Sequence, residues 1–155
     1  MIHVRQTVTT MPPLHPTPGV SGREGASARS APGDALPDLS GKCILIVEDE
    51  TFIALELAFG IEDAGATSLG PAGTIDDALS FIARGGFDAA ILDLDLQGVD
   101  AFPVAESLKG RNIPFLFHTG HGDRSELKER FGDVIVCVKP VDPGEIMRNL
   151  SGLID

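Results

Sequence analysis

The sequence predicts an α/β fold, a doubly wound parallel sheet of five strands with helices on both faces. Three observations lead there. From Gly41 onward, short apolar runs and longer helix-like stretches alternate five times, so each strand is followed by a helix. The runs, such as AAIL at 89–92, are short and continuously apolar, as strands buried on both faces are. Reactive side chains stand where these runs end, and in an open parallel sheet those ends share one rim.

Taken in order, KCILIV (42–47) is the first buried strand, and TFIALELAFGIEDAG (51–65) is a helix closed by Gly65. ATSLG (66–70) is a short second strand. TIDDALSFIARGG (74–86) is a helix capped by Thr74, with apolar residues at 75, 78, 79 and 82 on one face. AAIL (89–92) is the third strand, and FPVAESLKG (102–110) a helix with Pro103 in its first turn. PFLFH (114–118) is the fourth strand, followed by a weak, polar helix SELKERFG (125–132). VIVCV (134–138) is the fifth, and PGEIMRNLSGLI (143–154) the last helix.

Residues 1–38 hold six of the eleven prolines with Ser, Thr and Gly, and show no apolar periodicity. Such a segment cannot bury enough surface to offset its chain entropy. Residues 1–40 are therefore expected to be a disordered tail and residues 41–155 the folded domain. No apolar run approaches the roughly 20 residues of a membrane span, and the N-terminus lacks the apolar core of a secretory signal. The expected compartment is the cytoplasm, which suits Cys43 and Cys137 as two small apolar residues within strands. The net charge of −11 belongs wholly to residues 41–155, because three arginines and three acids cancel in the tail. So acidic a domain repels phosphate backbones, which disfavours nucleic acid as a partner.

Four strand ends carry the chemistry: Glu48 and Asp49 after the first, Asp93 after the third, Thr119 after the fourth and Lys139 after the fifth. Three carboxylates converging at one rim repel one another, and a divalent cation is the natural remedy. Hard oxygen donors argue for magnesium, with a lysine and a hydroxyl free to hold further oxygens of a phosphoryl group.

These motifs, in this order and spacing, resemble the receiver domain of two-component response regulators over residues 42–155. The resemblance implies a flavodoxin-like (βα)5 sheet with strand order 2-1-3-4-5. It implies that Asp93 accepts a phosphoryl group from a histidine kinase and that Glu48, Asp49, Asp93 and the Asp95 backbone carbonyl bind Mg2+. Thr119 matches the family's hydroxyl residue, and Lys139-Pro140 its lysine followed by a cis-proline peptide. The Asp95 side chain and His121 would border the phosphoryl group and tune its lifetime. FLFHTGHGD also looks like the FxTGxG-type signature of a group of stand-alone receivers. Since nothing follows Asp155, the expectation is a single-domain regulator whose output is phosphotransfer or phosphorylation-dependent binding. A histidine phosphotransfer protein joins the histidine kinase as an expected class of partner.

Two departures stand out. Glu48 replaces the commoner aspartate, and Val136 occupies the place where many receivers carry a switch tyrosine or phenylalanine. The first helix has more apolar residues than one core stripe needs. Phe52 and Phe59 are accordingly assigned to partner docking, against the competing account that they pack in the domain or a homodimer. Asp93-Leu94-Asp95 also resembles the nucleophile motif of haloacid dehalogenase-like phosphatases, but the acidic pair here precedes the nucleophile, and motif order decides against them. A degenerate receiver that only binds partners is the third reading, disfavoured by the complete residue set.

Overall fold

The computed structural model describes residues 35–120, 122 and 124–155. The expected tail and His121 thus lie almost entirely outside the described residues. Five strands form a parallel sheet: β1 (Cys43–Val47), β2 (Thr67–Ala72), β3 (Ala89–Leu92), β6 (Phe115–Thr119) and β7 (Ile135–Val138). Their order is β2-β1-β3-β6-β7, which is 2-1-3-4-5 for the main strands counted along the chain. Two further strands, β4 (Asp95–Leu96) and β5 (Val99–Asp100), make a small antiparallel hairpin beyond β3 that the sequence reading did not foresee.

Alternation along β1 assigns its side chains to two cores. Ile44 and Ile46 pack with Ala54, Leu57 and Ile61 of α1 (Thr51–Asp63) and with Ile146, Met147 and Leu150 of α5 (Pro143–Ile154). Leu45 and Val47 face α2 (Ile75–Arg84), α3 (Phe102–Gly110) and α4 (Arg124–Phe131). Helices thus cover both faces, which is why the central strands are apolar without alternation. α1 and α5 approach so closely at Gly60 that a Cβ there would lie 2.9 Å from the Pro143 Cβ.

Most elements end within a residue or two of where the sequence places them, and the larger differences have local causes. β2 continues through Pro71 to Ala72, tolerable because it is an edge strand and needs fewer donors. Thr74 caps α2 by accepting the Asp77 N–H. α4 is polar, as expected, and is anchored through Leu127 and Phe131. The Phe131 ring meets those of Phe102, Phe115 and Phe117. The tail boundary needs one correction: Leu39, assigned to the tail, is buried against α1 and donates its N–H to Ala64.

Candidate functional site

Strand register builds the site. Val47 and Leu92, the last residues of β1 and β3, are paired, so Glu48 and Asp93 emerge side by side. On the other flank Thr119 pairs with Val138, and the Lys139 N–H donates to the Thr119 carbonyl at 2.9 Å. The peptide after Lys139, leading to Pro140, is cis. Each position follows from an apolar strand running out at the same edge of the sheet.

Oxygens of Glu48, Asp49 and Asp93 lie within 4.8 Å of one another. The Lys139 ammonium donates to Asp93 Oδ2 at 2.8 Å and to Glu48 Oε2 at 2.9 Å. Asp93 Oδ1 accepts the Asp95 N–H at 3.1 Å, and Glu48 Oε1 accepts the Glu50 N–H at 3.1 Å. Glu48 is 2% exposed, and Asp93 and Thr119 are also buried. Burial pushes the Glu48 carboxyl up to about 7; Lys139 and the Glu50 N–H pull the other way, while the charge of Asp93 adds to the rise. For Lys139, burial works against the ammonium, yet its bonds to Asp93 and Glu48 prevail and its pKa is raised.

One lysine therefore shares two carboxylates while a third stands beside them. That residual negative charge, in a set of hard oxygen donors, fits Mg2+. A cleft of about 300 Å³ beside the rim is lined by Leu94, Asp95, Val99, Phe102, Thr119 and Gly122. The neighbouring His118 is buried, and its Nδ1 has no hydrogen-bond partner among the described residues. Burial, reinforced by Lys139 and opposed by Asp93, holds its imidazole down at about 4, so it is neutral.

Glu48, Asp49, Asp93, Asp95 and Lys139 are brought together, with Thr119 at the same edge. The Asp95 side chain is exposed and turned into the hairpin, where its Oδ1 accepts the Gly98 N–H. His121 lies outside the described residues. Phe52, 87% exposed, and Phe59, 57% exposed, stand on the outer side of α1 with half-exposed Leu55. Sequence reasoning missed Gln97, whose N–H donates to Asp49 Oδ2 at 3.0 Å. The available signal was a polar-Gly pair between Leu96 and Val99, a hairpin pattern in a weaker form than Asn-Gly.

Comparison with known proteins agrees with this geometry. The family model described as response regulator receiver domain matches residues 44–151. The transcriptional regulatory protein TcrA of Mycobacterium tuberculosis is 34% identical over 100 residues, covering 61% of this chain and 38% of that protein. The phyllosphere-induced regulator PhyR of Methylorubrum extorquens is 31% identical over 113 residues, covering 70% of this chain and 42% of that one. The chain thus spans about two-fifths of the length of these curated relatives. The solution structure of SdrG from Sphingomonas melonis Fr1 superposes with a TM-score of 0.64 at 41% identity, covering 74% of this chain and 97% of that one. Sheet order, rim and family match lead to one assignment: the chain belongs to the response regulator receiver domain family.

Proposed function

We propose that this protein is a single-domain response regulator that takes a phosphoryl group from a histidine kinase onto Asp93 and serves a phosphorelay as sink, shuttle or phosphorylation-dependent binder. The observation that carries the proposal is the Asp93 carboxylate, held at the end of β3 by Lys139 and the Asp95 N–H beside Glu48 and Asp49. The stand-alone reading draws support from the likeness to SdrG, which covers 97% of that solved chain. We place it in the cytoplasm. Among the described residues no helix is long and apolar enough to cross a membrane.

In the reaction an Asp93 oxygen attacks the phosphorus of a phosphohistidine, forming an acyl phosphate as the P–N bond breaks. The electron pair of that bond leaves with the donor imidazole. Lys139 must turn one of its N–H groups from Asp93 to a phosphoryl oxygen, and the Thr119 hydroxyl takes another. Glu48, Asp49, Asp93 and the Asp95 carbonyl would hold Mg2+, which when bound offsets the clustered charge and polarises the phosphoryl oxygens. The same residues hydrolyse the acyl phosphate in time, so the chemistry is the protein's own modification and not turnover of a separate substrate. The docking face is the outer side of α1, where Phe52 and Phe59 meet a helical bundle of the kinase or of a phosphotransfer protein.

The test is labelling with an autophosphorylated kinase and, separately, with acetyl phosphate. Wild-type protein should take up label in magnesium, and Asp93→Asn should take up none, because an amide cannot supply the attacking oxygen. Full, stable labelling of Asp93→Asn at another residue would overturn the assignment.

A further inference from the structure

We propose that the β4–β5 hairpin is a positioning device: closed by the Asp95 carboxylate, it holds the Gln97 N–H against Asp49 and fixes how that carboxylate faces the phosphoacceptor. The proposal deepens the reading above and rests on Asp49 being a magnesium-binding group.

Two residues, Gln97 and Gly98, connect the strands, with φ values of 56° and 78°. A two-residue loop with both φ angles positive matches the twist of paired strands. Gly98 adopts that conformation without penalty, but Gln97 carries a Cβ and does not. A side-chain-bearing residue stays there only when its surroundings fix it, and such residues cluster at functional sites.

The surroundings here do fix it. Leu96 is buried in the core, and the Ala101 N–H donates to the Leu94 carbonyl at 2.8 Å. At the base of β5, Asp100 Oδ1 accepts the Phe102 N–H at 2.8 Å. The turn is clamped by Asp95 Oδ1, which accepts the Gly98 N–H at 2.6 Å. The left-handed backbone of Gln97 points its N–H at Asp49 Oδ2, 3.0 Å away beside the end of the neighbouring strand β1.

Asp95 thus acts twice. Its backbone N–H donates to the phosphoacceptor Asp93, and its side chain closes the turn that restrains Asp49. The Gln97 N–H takes one lone pair of Asp49 Oδ2 and so restrains how that carboxylate turns. This differs from a role in which the Asp95 charge borders the phosphoryl group, and the two roles separate in experiment. Asparagine keeps an oxygen that can accept the Gly98 N–H but loses the charge; alanine loses both.

The experiment is backbone amide NMR of the full chain, first without metal and then through a magnesium titration. In Asp95→Ala the Gln97 amide proton should move upfield and magnesium affinity should fall by about tenfold, the low end for loss of a partner that orients a ligand. Asp95→Asn should restore both toward wild type. Asp49→Ala should move the Gln97 amide proton while leaving that of Gly98 in place. An unmoved Gln97 resonance in Asp95→Ala, or equal losses in the Ala and Asn variants, would overturn the proposal. Wild-type protein that takes neither magnesium nor phosphoryl group defeats the functional reading instead, and the metal-free resonances still decide the hairpin's role.

Discussion

The rim and the outer side of α1 break the same rule in opposite directions. At the rim, Glu48, Asp93, His118 and Thr119 are withdrawn from water although polar side chains are normally solvated. On α1, Phe52, Leu55 and Phe59 are held in water although large apolar side chains normally gain by burial. α2 shows what a helix with only a packing task looks like. Its Ala78 and Ile82 are buried, its cap is made by Thr74, and no large apolar residue is left strongly exposed. Folding alone accounts for α2 but for neither exception. On the proposed function the rim concentrates charge for chemistry and α1 keeps apolar surface for contact, so the two should respond to different perturbations.

The largest effect expected concerns His118. Its folded pKa of about 4 lies below the ordinary 6.5, so between those values the unfolded chain binds a proton that the folded chain refuses. Its contribution to stability is complete above pH 6.5 and is lost as the pH falls toward 4. Between pH 7 and 5 that loss is on the order of 2 kcal/mol. Thermal melts of His118→Leu should accordingly show a shallower fall on the acid side than wild type. Parallel curves for the two proteins would show that the buried imidazole is not the exception it looks to be.

Magnesium comes next. Because it neutralises clustered carboxylates, it should stabilise the wild type by about 1.4 kcal/mol at tenfold excess over its dissociation constant, a rise of a few degrees in Tm. Asp49→Ala should lose most of that rise. A wild-type Tm that ignores millimolar magnesium at moderate salt would break the reading of the rim.

Phe52→Ala should have the smallest effect and the most selective one. Transfer from a kinase should slow by about fivefold, the minimum for a residue central to a contact, while acetyl phosphate labelling and Tm hold. Equal losses with both donors, or a collapsed Tm, would return this ring to the core and dissolve the contrast. A monomer–dimer equilibrium that vanishes in the variant would instead assign the face to a second copy of the chain.

Much of the fold was legible because β3, α3 and α5 are delimited by strong local signals: an all-apolar run, and Pro103 and Pro143 in first turns. The site was legible for the same reason, since Glu48, Asp93 and Lys139 directly follow their strands. Leu39 escaped because scattered apolar residues (Leu36 and Leu39) amid Pro, Asp, Ser and Gly make no sustained periodic run; its burial is decided by Ala64 and α1, distant in sequence. The hairpin escaped because two-residue strands cannot alternate, and the Gln97 N–H is a backbone group whose aim no side-chain pattern reveals.

The Lys139 side chain also has a mechanical meaning. It leaves the tip of the edge strand β7, passes beyond its neighbour β6 and grips groups at the ends of β3 and β1, so it works as a guy-rope across four of the five strands. On the proposed function, a phosphoryl group that claims part of this ammonium would slacken the rope. Its anchor is the stretch around exposed Val138 and Pro140 leading into α5. At that end of the sheet Val136, not an aromatic ring, pairs with Phe117.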